Sequence, residues 1–145
     1  MGRFRSTAGV AVLLTFLCGC AATTTISAIQ EGAIIDIKSS EQATVPRTES
    51  YKATSFGNYE FRAKAGSDTP LFGILPLKFN GGYLALDILF FAPAAFFNLR
   101  EVFPFYDFDI EKRVLKYRFK ETDEWNVYTP LEAEANRARE FFKDK

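Results

Sequence analysis

The sequence predicts an α+β domain in which a small antiparallel sheet carries helices on one face. Two segments, YEFRAK (59–64) and RVLKYRFK (113–120), alternate apolar and charged side chains as half-buried strands do. An apolar stretch between them (81–99) is interpreted as a two-part helical segment. The last segment, TPLEAEANRAREFF (129–142), has the start signals and the spacing of an amphipathic helix.

The chain begins with a short apolar leader. Arg3 and Arg5 precede an apolar run of about ten residues (8–17), which is too short to span a bilayer comfortably as a helix. A basic front, an apolar run and small residues after it are typical of a secretory signal peptide. The leader ends in LCGC (17–20), which resembles the lipobox of bacterial lipoproteins, Leu-x-Gly/Ala-Cys.

The resemblance implies that residues 1–19 are a lipoprotein signal peptide and that Cys20 becomes the first mature residue, with diacylglycerol on its sulfur. Cys18 then occupies the variable position of the lipobox. The alternatives are an uncleaved signal anchor or a disulfide between the two cysteines, and a single intervening residue rarely permits disulfide geometry. Two or more acyl chains hold a protein stably at a membrane.

The family also implies where the mature protein resides. Ala21 and Ala22 lack the aspartate that typically retains such proteins in the inner membrane, so the resemblance implies the periplasmic face of the outer membrane. Residues 20–30, which are small and polar at their start, are predicted to be a lipidated tether. Residues 31–145 are predicted to be a single periplasmic α+β domain.

The composition excludes several function classes. The chain has 18 basic and 18 acidic residues, a balance that argues against nucleic acid as a partner. It has no histidine, and lipidation of Cys20 would leave no free thiol in the mature chain. Cys–His and Ser–His–Asp catalysis and zinc sites built from Cys and His are therefore excluded within this chain. We expect a non-enzymatic protein without a cofactor or metal.

The first half of the domain is predicted to be strands. AIIDIK (33–38) has the β-branched content of a strand, and QATVPR (42–47) is a second short strand that Pro46 places at an edge or its end. The YEFRAK strand has one apolar face and one charged face. Its inward positions are Tyr59, Phe61 and Ala63, and its outward positions are Glu60, Arg62 and Lys64.

The middle of the chain is unusually aromatic. Residues 70–109 contain nine of the 16 phenylalanines, and these side chains must be buried in the core, in a partner or in a membrane. Residues 83–91 and 93–99 are predicted to be short helices folded onto the sheet. A membrane-dipping hairpin and a true transmembrane span are the alternatives, and Asp87 and Pro93 oppose a span.

Asp87 is the candidate functional polar residue of this segment. It is the single charged residue between residues 81 and 99, and an apolar setting would make it a proton carrier or an acid with a raised pKa. The alternative is a structural role, in which Asp87 caps a turn, faces solvent, or pairs with Arg100 or Arg113.

Three carboxylates follow at alternate positions, Asp107, Asp109 and Glu111. On a strand they share one face, and three carboxylates can hold Ca²⁺. Because the spacing and the glycine of an EF-hand are missing, we expect a solvated face close to a turn.

The C-terminal part is predicted to be two strands and a helix. RVLKYRFK has Leu115, Tyr117 and Phe119 on its apolar face, and EWNVY (124–128) is its predicted partner strand. The helix is predicted to start with a capping box and to bury one face. The capping residues are Thr129 as N-cap, Pro130 and Glu132, and the buried face consists of Leu131, Ala135, Ala138 and Phe142.

Two further segments carry a resemblance. LALDILFFAPAAFFNL, with the strands before it, is similar to segments of small bacterial envelope lipoproteins. AIIDIKSSEQATV together with GNYEFRAK resembles the PEGA-type β-module, with SSEQA where that module has Pro-Gly. The resemblance implies binding or scaffolding of another envelope component. The alternative is a lipid- or small-ligand-handling protein, or a small enzyme that uses carboxylates in an apolar pocket.

Overall fold

A computed structural model of the chain describes residues 21–40, 42–52, 58–67, 69–79 and 100–143. These residues form eleven strands and one helix. In chain order they are β1 (Ala21–Ala28), β2 (Ile34–Ile37), β3 (Ala43–Thr44), β4 (Arg47–Lys52), β5 (Glu60–Lys64), β6 (Leu71–Ile74), β7 (Leu77–Phe79), β8 (Arg100–Val102), β9 (Phe105–Asp109), β10 (Val114–Arg118), β11 (Asn126–Tyr128) and α1 (Glu132–Phe142).

The strands form two main sheets and one pair. The five-stranded sheet has the order β11-β10-β9-β1-β4, and the four-stranded sheet has the order β3-β2-β5-β6. β7 and β8 pair separately. Neighbouring strands are antiparallel throughout, except that β1 and β9 run parallel.

The core lies between the two main sheets. Phe61 of β5 and Phe108 of β9 meet edge to face across it, with ring centroids 5.0 Å apart. Both rings are fully buried, as are Ile26 of β1 and Leu115 of β10. Burial of such side chains contributes roughly 1.5–3 kcal/mol each, so this layer supplies most of the driving force for folding.

The helix α1 forms a third layer on the outer face of the four-stranded sheet, in contact with β5 and β6. Ala135, Ala138 and Phe142 are buried there, as the spacing predicts. The predicted capping box is wrong, because the N-cap is Leu131. Leu131 is extended and 66% exposed, so it is not part of the buried face. The carboxylate of Glu134 accepts a hydrogen bond from the Leu131 backbone N–H at 2.9 Å.

The predicted α+β class is wrong. The described part of the chain is mostly β, with α1 as its single helix. The strands at YEFRAK, RVLKYRFK and EWNVY are confirmed, but β1, β6, β8 and β9 lack the strict alternation that makes a strand conspicuous in a sequence. The predicted helices at 83–91 and 93–99 lie outside the described residues.

The predicted tether has a regular structure. Residues 21–28 form β1, which pairs with β4 on one side and β9 on the other. Threonine is favoured in strands because its branched side chain suits a pleated surface, so the three threonines at 23–25 are readily accommodated in a strand.

Within the ranges described here, no helix has the length and apolar character needed to cross a membrane.

Candidate functional site

Both candidate site residues predicted from the sequence, Cys20 and Asp87, lie outside the described residues. The structure does describe Ala21, the residue that follows Cys20. Ala21 is the first residue of β1, and its pairing partner is Lys52, the last residue of β4. The point at which Cys20 joins the domain is therefore a strand end within the five-stranded sheet.

Several chain segments lie toward this end. β10 is antiparallel to β9, so Arg118 lies opposite Phe105 at the start of β9, and Phe105 in turn lies opposite Thr25 in the middle of β1. β8 directly precedes β9 and contacts β1 and β4. Phe79 pairs with Arg100, so the end of β7 lies beside the start of β8. We call the first half of β1 and its neighbours the entry end, defined by Ala21, Lys52, Thr25 and Arg118.

Aromatic rings stacked with cations line the entry end. The guanidinium of Arg118 lies 4.2 Å from the ring centroid of Trp125, which is the single tryptophan of the chain. The ammonium of Lys78 lies 4.3 Å from the ring centroid of Phe119. Phe119 is 49% exposed, and Trp125 is half-buried. Such cation–π pairs contribute about 0.5–1 kcal/mol at exposed sites.

The charge of the entry end is mixed. Lys78 also forms an ion pair with Glu101 at 2.8 Å. The turn after β10 carries acidic residues, among them Asp123, which accepts a hydrogen bond from the Lys120 backbone N–H at 2.9 Å. The surface is therefore amphipathic and aromatic, without a strong excess of either sign.

The three alternating carboxylates have structural partners. Asp107 accepts a hydrogen bond from Ser27 Oγ at 2.8 Å. Asp109 accepts one from the Lys112 backbone N–H at 3.0 Å and one from Gln30 Nε2 at 3.3 Å. Burial would raise the pKa of Asp109, but these donors hold that pKa below its usual range. The predicted solvated face is therefore wrong for Asp109, which is 2% exposed.

The residues that the structure describes contain no evident metal centre. No group of three or more His, Cys, Asp or Glu side chains among them has the arrangement of a metal site. The Ca²⁺ alternative for Asp107, Asp109 and Glu111 thus gains no support.

A buried ionic cluster lies beneath α1. Glu60 was predicted to face solvent, but it is 2% exposed because α1 covers that face of β5. Its Oε1 lies 2.8 Å from Arg137 Nε of the helix, and its Oε2 lies 3.1 Å from Lys38 Nζ. A second pair, Arg62 with Asp36 at 2.8 Å, lies on the same sheet. The Glu60–Arg137 pair joins the helix to the sheet, whereas the Lys38–Glu60 and Arg62–Asp36 pairs lie on the sheet itself.

Glu60→Gln is expected to lower the free energy of unfolding by about 1–2 kcal/mol at pH 7, since it removes the carboxylate that both cations share while Arg137 and Lys38, 55% and 35% exposed, remain solvated. Burial would raise the pKa of Glu60, but its own backbone N–H, Lys38 and Arg137 hold it below the ordinary value of 4.5. The stabilisation is therefore present above pH 4.5 and is lost as the pH falls through the lowered pKa. Urea unfolding at several pH values measures the difference from the wild type.

The matched control is Glu140→Gln, because Glu140 lies on the same helix, is 78% exposed and pairs with Lys143 only at 4.0 Å. Its effect should stay within about 0.5 kcal/mol at every pH. A Glu60→Gln effect that is equally small, or that grows on acidification, would contradict the stabilising role of the cluster.

A small cavity lies beside the start of α1. It has a volume of about 210 Å³ and is lined by residues including Asn58, Ile74, Arg100, Tyr128 and Glu134. The Tyr128 hydroxyl donates a hydrogen bond to Glu134, and burial together with this carboxylate raises the Tyr128 pKa. This volume is below the roughly 300–1,000 Å³ of typical ligand sites, whereas two other clefts, beside Ile110 and beside Phe72, measure about 320 and 310 Å³.

Comparison with protein-family models, with curated proteins and with solved structures finds no match.

Proposed function

We propose that this protein is a lipid-anchored lipoprotein of the bacterial envelope. In this proposal Cys20 carries the lipid, and the domain lies on the periplasmic face of the outer membrane. It acts as a non-enzymatic protein that binds or scaffolds another envelope component. The observation that carries the proposal is the LCGC sequence at 17–20, directly followed by the first strand of the domain.

The position of β1 supports this proposal. Removal of residues 1–19 would leave every described strand in place, because pairing begins at Ala21. A lipobox requires its cleavage site to precede the folded domain, and the boundary at Cys20 meets that requirement. With two or more acyl chains on Cys20, the anchor would hold the protein at the membrane permanently.

The binding role is supported by a sheet edge that no described strand covers. Among the described residues, β11 is the last strand of the five-stranded sheet and pairs with β10 only. Val127, at its centre, is 63% exposed. An exposed strand edge presents unpaired backbone groups, to which a strand of another protein can add.

The test of lipidation is a pair of cysteine variants. Cys20→Ala is expected to abolish incorporation of labelled palmitate and to leave an unprocessed precursor, because the acceptor sulfur and the cleavage position are lost. Cys18→Ala is the matched control, and it should be labelled and processed like the wild type, since position 18 is the variable lipobox position. Labelling that survives the loss of Cys20 would contradict the proposal.

A further inference from the structure

We propose that the cleft beside Phe72 binds a small organic anion, whose charged group contacts Lys64 and whose apolar body lies on Ile34 and Phe72. The inference adds a ligand site to the proposed function and does not depend on the lipidation of Cys20. The cleft has a volume of about 310 Å³, which is within the range of typical ligand sites. It is lined by Ile34, Gln42, Arg62, Lys64, Pro70 and Phe72.

The first step is the position of the cleft on the four-stranded sheet. Alternate residues of a strand share a face, so Glu60, Arg62 and Lys64 of β5 all lie on the face that carries α1. Strand pairing places Ile34 beside Lys64 and Phe72 beside Arg62 on that face. Glu60 is buried under the helix, whereas Lys64 is exposed and Ile34 is 37% exposed. α1 therefore covers the Glu60 part of this face, and the cleft lies in the more exposed part.

The second step is the charge of the cleft. Of the described residues that line it, Arg62 and Lys64 are cationic and none is acidic. Asp36 pairs with Arg62 at 2.8 Å and compensates its charge. Lys64, by contrast, forms no ion pair with any residue that the structure describes. Its ammonium group is therefore available to an anionic ligand.

The helix supplies a second cation next to the cleft. The guanidinium of Arg139 lies 5.6 Å from the ring centroid of Phe72. It donates a hydrogen bond to the amide oxygen of Asn136, and within the described part of the chain no carboxylate pairs with it. Arg139 and Lys64 thus bring positive charge to the cleft from two elements, α1 and β5.

The third step is the apolar surface beside these cations. Ile34, Pro70 and Phe72 line the cleft with apolar side chains. Ligand sites combine such a surface, which binds a hydrophobic body, with a few polar or charged groups that orient it. An anionic group on the ligand would compensate the charges of Lys64 and Arg139, whereas a neutral or cationic ligand would leave them unpaired. The chemistry of the cleft therefore selects a carboxylate attached to a short apolar or aromatic body.

The experiment uses hydrocinnamate as the probe and the isotope-labelled full chain in a zwitterionic detergent. We expect saturable shifts in the nuclear magnetic resonance signals of the Ile34, Lys64 and Phe72 amides. Hydrocinnamamide, which keeps the apolar body without the charge, should bind about tenfold more weakly, because two exposed ion contacts contribute roughly threefold each. Acetate, which keeps the charge without the apolar body, should also bind more weakly than hydrocinnamate.

The test variant is Lys64→Gln with Arg139→Gln, which removes the two cations. Its matched control is Lys120→Gln, which removes an exposed lysine after β10, on the other main sheet. We expect the double variant to bind hydrocinnamate about tenfold more weakly than the wild type, and Lys120→Gln to bind it equally well.

Four outcomes would overturn the proposed site. They are the absence of saturable shifts in the wild type, unchanged binding in the double variant, an equal loss in Lys120→Gln, and binding of hydrocinnamamide or acetate as tight as that of hydrocinnamate. Each of them leaves the proposed lipidation of Cys20 unaffected, because none of these measurements involves the lipid.

Discussion

A form of the protein that begins at residue 31 is expected not to fold, whereas a form that begins at Ala21 should unfold cooperatively. The shorter form lacks β1, which lies between β4 and β9. Its loss removes the pairing of residues 21–26 with β4 and of residues 25–28 with β9. It also removes Ile26, which is fully buried in the core.

The expected effect exceeds the stability of an ordinary domain, which is about 5–15 kcal/mol. Without β1, β4 loses the one strand it pairs with in the described part of the chain and β9 retains only β10 there, so the five-stranded sheet is divided. Far-ultraviolet circular dichroism during urea unfolding measures the outcome. A single cooperative transition in the form that begins at residue 31 would show that residues 21–30 are the dispensable tether that their composition suggests.

Phe61→Ala is expected to lower the free energy of unfolding by about 3–5 kcal/mol. The Phe61 ring is fully buried between the two sheets and meets Phe108 edge to face. The packing around it is close, because a Cβ atom added at Gly73 would lie 2.7 Å from the ring. Removal of the ring leaves a cavity that these neighbours cannot fill without moving both sheets.

The control for this prediction is Phe119→Ala, which truncates a half-exposed phenylalanine at the entry end. We expect its effect to be below about 1 kcal/mol, since little apolar area is removed from the core. Urea denaturation of both variants in the form that begins at Ala21 gives the comparison. A Phe61→Ala loss no larger than that of Phe119→Ala would contradict the two-sheet core.

Strong local patterns predicted their elements correctly. The alternation in YEFRAK and RVLKYRFK corresponds to β5 and β10, and the spacing of Ala135, Ala138 and Phe142 corresponds to the buried face of α1. These patterns can be recognised in the sequence because one face of each element is in the core, so the apolar periodicity is complete within a few residues.

The remaining differences come from tertiary contacts. A charged residue on a strand is expected to face water, and Glu60 is buried because a helix more than 70 residues later covers it and supplies Arg137. In the same way, the small polar residues of β1 carry no sequence signal for their partner β9, which lies far along the chain. Strand pairing over such distances depends on the whole fold, so the pairing partner cannot be predicted from local periodicity.

The pairing of β1 with β9 has a consequence for the order of folding. Ser27 and Asp107, whose side chains are joined across these strands, are 80 residues apart in the sequence. During synthesis the N-terminal strand emerges first, but its parallel neighbour follows only after most of the chain. Closure of so long a loop is slow, and an unpaired strand edge is prone to aggregation in the meantime. We therefore expect folding to be completed late and to benefit from a chaperone that shields the first strand.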